Sequence, residues 1–170
     1  MKMEMEHIWS ILDESFDPLV LRTRGTIKKM LESGLCRYIL EMEGDIPLGT
    51  VLWCRFPGFI FFEYLAVTPL ARGRGLGAKL MKTVLDKEQC MAVLEVEEPH
   101  TEQDRKRIVF YERLGFHLNE EGYEVPPFSP DQPPVYLRVM THPCKADANS
   151  FKKMKNVIFE NVYHLSLQPE

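Results

Sequence analysis

The 170-residue sequence lacks the closely spaced ligand motifs of metal-binding and redox proteins. Its four cysteines stand far apart, at Cys36, Cys54, Cys90 and Cys144, without a CxxC pair, and its five histidines form no HExxH motif. We therefore expect no bound metal, since protein metal sites draw on such spacings. We also expect the cysteines to be reduced and the protein to be cytoplasmic.

Long apolar runs and an excess of basic residues are missing as well. No stretch reaches the roughly 18–20 apolar residues of a membrane span, and the N-terminal MKMEMEHIW has no apolar signal-peptide core. With 21 lysine and arginine residues against 25 acidic ones, the net charge of −4 disfavours nucleic acid, whose binding requires a basic surface. The sequence therefore predicts neither nucleic acid nor a membrane as a partner.

Hydrophobic periodicity predicts an antiparallel strand meander followed by alternating helices and strands. The second of two N-terminal helices is expected to be interrupted or bent near Gly25. The predicted elements are helices at 5–14 and 17–33, strands at 36–43, 48–56 and 59–67, a helix at 75–87, a buried strand at 91–96, a helix at 101–115, a strand pair at 116–121 and 135–140, and a helix at 149–165.

Two C-terminal segments lie outside that regular order. The run VPPFSPDQPP, 125–134, predicts a rigid, non-helical connection, because proline fixes φ and lacks an N–H donor. The helix at 149–165 carries one apolar face, which predicts packing on the same domain or contact with a second copy in a homodimer. We expect one domain over 1–147, with core motifs at 36–142, and an added helix within 148–170 packed on it.

A glycine-rich turn opens the predicted helix at 75–87. Gly73, Gly75 and Gly77 stand among Arg72 and Arg74. Such a turn exposes backbone N–H groups at a helix N-terminus, where the helix dipole favours the negative charge of a phosphate. The alternative is an ordinary strand-to-helix loop that uses glycine for positive φ angles.

A dinucleotide fingerprint fits this turn poorly. Gly73, Gly75 and Ala78 satisfy G-x-G-x-x-A, and Glu97 lies about 20 residues further on. That fingerprint, however, follows the first strand of a βαβ unit directly. Here TPLAR separates strand from glycine and three antiparallel strands come first, which argues against a dinucleotide.

The turn resembles the acyl-CoA pyrophosphate motif of the GNAT superfamily of N-acetyltransferases, (Q/R)-x-x-G-x-(G/A). Arg72, Gly75 and Gly77 fill its positions within VTPLARGRGLGAKLM. Downstream, RIVFYERLGF at 107–116 resembles the second signature of that family, in which an aromatic–Tyr pair precedes a glycine–phenylalanine turn. The order and spacing of both motifs match over 36–142.

The resemblance implies an α+β fold with a mixed, strongly twisted sheet and flanking helices. The parallel strands 59–67 and 91–96 would splay apart and hold the acyl-CoA arm. Acetyl-CoA would be the co-substrate, without a metal. The implied coenzyme-binding residues are Leu65, Ala66 and Val67 along the strand and Arg72, Gly73, Arg74, Gly75, Leu76, Gly77 and Ala78 around the pyrophosphate.

Tyr111 matches the general acid of that family. A phenol with a pKa of about 10 is protonated at neutral pH and can donate a proton to the departing thiolate. The alternative is a helix tyrosine that only packs beside Phe110 and Leu114.

Glu63 is a candidate base for the attacking amine. A lone carboxylate in the apolar strand FIFFEYLAV is costly unless it is paired or functional. The alternatives are a solvent-facing glutamate at this position, Glu97 or Glu98 as the base, and a chain of water molecules that carries the proton to solvent.

The leading interpretation is an N-acetyltransferase that uses a small-molecule or peptide amine as acceptor, with direct attack on acetyl-CoA. The alternative is a non-catalytic regulator that binds acyl-CoA. Retention of Tyr111 and of a carboxylate in the cleft strand favours the enzyme. The sequence leaves the acceptor open among polyamines, aminoglycosides, amino acids and peptide N-termini.

Overall fold

The computed structural model describes residues 2–127 and 131–164. Short 3-10 turns at Pro18–Val20 and Pro69–Ala71 and a π-helical turn at Phe159–Tyr163 accompany the regular elements. Those elements are α1 (Lys2–Ser15), α2 (Arg24–Glu32), β1 (Cys36–Glu43), β2 (Ile46–Phe56), β3 (Phe59–Val67), α3 (Leu76–Glu88), β4 (Met91–Glu97), α4 (Glu102–Arg113), β5 (His117–Val125), β6 (Val135–His142) and α5 (Ala148–Ile158).

The six strands form one mixed sheet in the order β1-β2-β3-β4-β6-β5. β1 and β2 are antiparallel, and β6 is antiparallel to both of its neighbours. β3 and β4 are parallel, with Phe59–Phe61 opposite Met91–Val93. A crossover helix, α3, connects this parallel pair, as parallel strands require. The predicted α+β fold with a mixed sheet and flanking helices is therefore confirmed.

The chain divides into two compact units, and β3 contributes to both. The first unit comprises residues 1–55 and 62–89, and the second comprises 56–61 and 90–170. The predicted boundary between a domain at 1–147 and an added segment at 148–170 remains a prediction.

The core of the first unit lies between α1, α2 and the strands. Ile8, Ile11 and Leu12 of α1 are at most 1% exposed and belong to one apolar cluster with Leu52 of β2 and Tyr64 of β3. A buried apolar cluster of this kind is the main source of stability for such a layer.

The second unit contains α5, whose apolar face is buried at Phe151, Met154 and Ile158. The ring of Phe151 lies 6.1 Å from that of Tyr123 on β5. The chain continues after Ile158 into the π-helical turn, where Val162 is also buried. Leu165, predicted on the same face, lies outside the described residues, and contact with a second copy of the chain remains a prediction.

The predicted helix at 17–33 is wrong in its first part. Pro18–Val20 form a 3-10 turn, and α2 begins at Arg24 because Thr23 caps it, its side-chain oxygen accepting a hydrogen bond from the Thr26 N–H at 3.1 Å. The break therefore precedes Gly25, which lies inside α2.

The expectation of reduced cysteines is wrong for one pair. Cys36 on β1 and Cys54 on β2 are direct cross-strand partners and form a disulfide bond. Their separation of 18 positions concealed this, because antiparallel register rather than sequence proximity brings them together. Cys144 is an exposed free thiol.

Two further observations bear on the sequence predictions. Residues 128–130 of the proline-rich connection lie outside the described part of the chain.

Across 2–127 and 131–164, the structure contains no helix that is both long enough and apolar enough to cross a membrane.

Candidate functional site

Left-handed backbone shapes the glycine turn between β3 and α3. Gly73 has a φ of 77° and Gly75 a φ of 74°, a region that L side chains adopt only with strain. A Cβ atom built on either residue would meet no heavy atom within 4 Å. Glycine is required here for backbone conformation, and the space above the turn is open.

The N-terminus of α3 has no side-chain cap, since the capping residue is Gly75. Leu76 is buried and anchors the first turn, whereas Gly77 and Ala78 are half-buried. The first N–H groups of a helix lack intrahelical partners and carry the positive end of the helix dipole. This backbone fits an anionic group such as a phosphate.

The end of β3 is fixed to its surroundings by hydrogen bonds. The Thr68 N–H donates to the Leu48 carbonyl at 2.9 Å, and the Thr68 hydroxyl donates to the same oxygen at 3.1 Å. Arg72 Nε donates to the Val67 carbonyl at 3.1 Å, so the motif arginine holds the turn against the strand. Arg72 and Arg74 are otherwise exposed, with their charges available to an anion.

Gly49 on β2 permits close contact between the sheet and the start of α3. A Cβ at this position would lie 3.0 Å from the Ala66 carbonyl oxygen and 3.2 Å from a Leu76 methyl carbon. A larger residue at Gly49 therefore requires the Ala66 carbonyl and the Leu76 side chain to shift by a few tenths of an ångström. Sequence reasoning missed this glycine because its neighbours are distant in the chain.

Glu63 forms a buried ion pair with Arg22. The side chains of Arg22 and Glu63 are 1% and 6% exposed, and Arg22 Nε donates to a Glu63 carboxylate oxygen. The Arg22 N–H also donates to the Tyr64 hydroxyl at 3.0 Å, which fixes the segment before α2 on β3. This carboxylate in an apolar strand is thus paired.

Tyr111 is held near the end of α4 by the turn that follows it. The Tyr111 carbonyl accepts hydrogen bonds from the N–H groups of Leu114 at 3.0 Å and Phe116 at 3.1 Å. Gly115, at φ 88°, allows that turn, and a Cβ there would lie 3.2 Å from the His142 ring. The ring of Tyr111 lies 5.1 Å from that of Phe110 and 5.9 Å from that of Phe116.

The Tyr111 hydroxyl is kept protonated by its surroundings. Burial raises its pKa to about 12, although the positive charge of Arg107 acts in the opposite direction. At the other end of α4, Thr101 and Asp104 form a capping box, and the hydrogen bonds from Thr101 hold the pKa of Asp104 below its usual range. A neutral phenol is therefore presented from a well-anchored helix.

The carboxylates of β4 differ in their environment. Glu97 is exposed, and Glu98, just beyond the strand, lies 3.6 Å from Arg138. Glu95 is half-buried and accepts hydrogen bonds from the hydroxyls of Tyr123, at 2.6 Å, and Tyr163. Sequence reasoning missed Glu95, although it stands between apolar residues of a strand, as Glu63 does.

The predicted residues are divided between the two units. Glu63 and the coenzyme-binding residues from 65 to 78 belong to the first unit, whereas Tyr111, Glu97 and Glu98 belong to the second. Among the described residues, no group of three or more histidine, cysteine, aspartate or glutamate side chains is arranged to hold a metal ion.

A separate cavity of about 890 Å³ opens in the first unit, between α1, α2 and β1. Trp9, Tyr38 and the disulfide residue Cys36 line it, with charged side chains beside them. Its lining does not include the glycine turn.

Comparison with known proteins identifies the family. The family model of the acetyltransferase (GNAT) domain matches residues 34–118, half of the chain. A solved GNAT-family protein from Bacteroides thetaiotaomicron superposes with a TM-score of 0.85 at 26% identity, covering 95% of this chain and 93% of that one. The chain therefore belongs to the GNAT acetyltransferases.

Two further proteins are similar over different lengths. YjbC of Bacillus subtilis (strain 168), a protein named as an acetyltransferase, is 43% identical over 77 residues, which is 43% of this chain and only 39% of YjbC. The PaiA N-acetyltransferase of Thermoplasma acidophilum, solved in complex with coenzyme A, superposes with a TM-score of 0.57 at 12% identity over 82% of this chain and 92% of that one. The second likeness is one of fold.

Proposed function

We propose that this GNAT-family chain transfers the acetyl group of acetyl-CoA to a primary amine of a small molecule or peptide. The observation that carries the proposal is the glycine turn, where two left-handed glycines precede a helix N-terminus that has no side-chain cap. The presence of coenzyme A in the PaiA structure is consistent with the proposal.

In this proposal the turn binds the pyrophosphate. The N–H groups of Gly73, Gly75 and the first turn of α3, from Leu76 to Ala78, donate to phosphate oxygens, while Arg72 and Arg74 neutralise the charge. The backbone of β3 at Leu65, Ala66 and Val67 binds the acyl-pantetheine arm through N–H and C=O groups. Acetyl-CoA acts as a co-substrate and leaves as coenzyme A.

The reaction is a direct displacement at the thioester carbonyl. The acceptor ammonium loses a proton to water, and the neutral nitrogen attacks the carbonyl carbon to form a C–N bond. The C–S bond then breaks, Tyr111 donates its proton to the leaving sulfur, and the nitrogen loses a second proton as the amide forms. The tyrosine recovers a proton from solvent, so that one proton is released overall.

A base role for Glu63 is disfavoured by its ion pair with Arg22. Protonation of the Glu63 carboxylate would remove the negative charge that pairs with the buried guanidinium of Arg22. We infer that Glu63 holds the segment before α2 against β3 and that the first proton reaches water without it. Glu63→Gln tests this inference. We expect kcat and the pH–rate profile to be retained in the folded variant. A fall in kcat with loss of the acidic limb of the profile would show that Glu63 is the base.

A panel of amines tests the function. Wild-type protein and acetyl-CoA are incubated with spermidine, kanamycin, glycine, benzylamine, aniline and a tetrapeptide with a free N-terminus, and released thiol and acetylated product are both measured. Tyr111→Phe should lower kcat by roughly 100-fold and leave the KM for acetyl-CoA nearly unchanged, because one proton donor is removed. Tyr136→Phe, at an exposed tyrosine of β6, is the matched control.

The outcomes separate an enzyme from a regulator. Thiol release matched by acetylated amine supports the proposal. Acetyl-CoA binding without any acetylated product would instead indicate a non-catalytic acyl-CoA-binding protein.

A further inference from the structure

Both tryptophans of the chain, Trp9 on α1 and Trp53 on β2, line the same cavity. This is the cavity of about 890 Å³ between α1, α2 and β1, and all of its lining residues belong to the first unit. Its volume lies within the roughly 300–1,000 Å³ of sites that bind small molecules. The cavity is therefore a candidate binding site that is separate from the glycine turn.

Apolar and aromatic side chains from three elements form part of the lining. Met5 and Trp9 belong to α1, Leu31 belongs to α2, and Tyr38 belongs to β1. Met5, Leu31 and Tyr38 are half-buried, so each leaves part of its surface accessible. This lining suits an aromatic or apolar molecule, because binding removes that surface from water.

The buried carboxylate of Glu88, which no step of the proposed reaction uses, fixes two of the other lining residues. Its side chain is 1% exposed, and one of its oxygens accepts hydrogen bonds from Trp53 Nε1 at 3.0 Å and from Arg37 at 3.2 Å. Arg55 lies 2.9 Å from the other oxygen. Two guanidinium groups therefore share one negative charge, which leaves an excess of positive charge at this wall of the cavity.

Lys87 of α3 adds a second positive charge to the same wall. The ammonium nitrogen of Lys87 lies 5.7 Å from the centre of the Trp53 ring, and Trp53 is the cross-strand partner of Arg37. In the described part of the chain, no carboxylate forms an ion pair with Lys87. An anionic group bound here is attracted by both cations and displaces no carboxylate from Lys87.

The other charged residues of the lining do not reverse this excess. Lys28 and Glu32 of α2 lie 3.7 Å apart and compensate each other. Glu6 of α1 contributes a single negative charge. The cavity therefore combines an apolar and aromatic surface with a cationic wall formed by β1, β2 and α3.

We propose that this cavity binds an aromatic carboxylate. Lys87 and Arg37 contact the carboxylate group, and Glu88 is a positioning residue that orients Arg37. Trp9 and Leu31 contact the aromatic body. The inference goes beyond the proposed acetyl transfer and does not depend on it, since the cavity shares no residue with the glycine turn.

The first test compares three probes with one carbon skeleton, 4-phenylbutyrate, 4-phenylbutanol and 4-phenylbutylamine. Binding to the wild-type protein is measured by calorimetry and by the two indole N–H signals in NMR spectra, which report on this cavity because both tryptophans line it. Trp9→Phe assigns the two signals. 4-Phenylbutyrate should shift them and bind at one site with a Kd below about 1 mM. The alcohol and the amine should bind at least about tenfold more weakly, because a charged hydrogen bond is lost.

Charge reversal at Lys87 provides the second test. Lys87→Glu should weaken the binding of 4-phenylbutyrate at least about tenfold, and Lys87→Gln should weaken it about three- to tenfold, because an attractive charge is reversed or removed. Lys82→Glu, at an exposed position of the same helix outside the cavity lining, changes the net charge equally and is the matched control. It should bind the probe as the wild type does.

Three results would overturn the inference. The first is the absence of saturable binding of 4-phenylbutyrate up to about 10 mM, and the second is equal binding of the alcohol or the amine. The third is a folded Lys87→Glu protein that binds the probe no more weakly than Lys82→Glu does. Because these measurements contain no acetyl-CoA, each of these results leaves the proposed acetyl transfer standing.

Discussion

Two features of its surroundings act on the pKa of Tyr111. Burial raises that pKa, the positive charge of Arg107 lowers it, and burial has the larger effect. Its pKa of about 12 lies above the ordinary value near 10, so the folded state favours the neutral phenol. In the unfolded chain the same side chain ionises first as pH rises. Its contribution to stability is therefore complete below pH 10 and is lost as pH rises towards 12.

This predicts a measurable alkaline loss of stability. The free energy of unfolding of the wild-type protein, measured by urea denaturation, should fall more steeply between pH 10 and about 12 than that of Tyr111→Phe. Parallel curves for the two proteins would show that Tyr111 ionises equally in the folded and unfolded states.

The buried pair of Arg22 and Glu63 gives a second prediction for single residues. Arg22→Met leaves the Glu63 carboxylate without its main partner at 6% exposure and should cost about 3–5 kcal/mol of stability. The double variant Arg22→Met/Glu63→Leu removes both charges and should recover most of that loss. Chemical denaturation of the three proteins measures both effects, and additive losses in the double variant would contradict a coupled pair.

At the scale of single residues, the sequence correctly indicated where the backbone needs glycine, but it did not identify the side chains that pair with buried carboxylates. Gly73 and Gly75 were identified because a turn that opens a helix requires positive φ locally. For Glu63, the sequence showed that a buried carboxylate needed a partner but could not identify Arg22, which lies 41 positions away. Glu95 was missed, since its tyrosine partners are 28 and 68 positions away.

Among the elements, strands were predicted more accurately than helix ends. β1 and β3 begin and end where alternation and flanking turns predicted. The predicted helix at 17–33 was expected to be interrupted or bent near Gly25, but α2 begins only at Arg24, because Pro18 opens a separate 3-10 turn and Thr23 caps the helix. At the start of α2, the capping residue and the hydrophobic periodicity indicate different first residues for the helix. The sequence alone did not show which of the two signals determines the start.

The C-terminal helix α5 provides the prediction at the scale of an element. Ile158 is 0% exposed, so Ile158→Ala should lower stability by about 2–5 kcal/mol through lost contacts and a residual cavity. Lys152→Ala, on the exposed face of the same helix, should change it by less than about 0.5 kcal/mol. Thermal unfolding of both variants checks this, and equal effects would show that the helix face is not packed.

For the whole molecule, the family and the mixed sheet with its parallel pair of strands followed from the resemblance carried by the two motifs. The glycine turn is contiguous in sequence, so its candidate role in binding coenzyme was predictable from local chemistry. The acceptor was not predictable, because the two sequence motifs concern the coenzyme and the departing thiolate and carry no information about the amine.

Calorimetric titration with acetyl-CoA tests the central claim, that the glycine turn binds the coenzyme, most directly. The wild-type protein should bind acetyl-CoA at one site, and Gly77→Val should bind it at least about tenfold more weakly, because the added methyl groups obstruct the approach of phosphate to the start of α3. Thr83→Val, an exposed position on the same helix, is the matched control and should bind as the wild type does. Unchanged affinity in a folded Gly77→Val protein, or no binding by the wild type, would contradict the account.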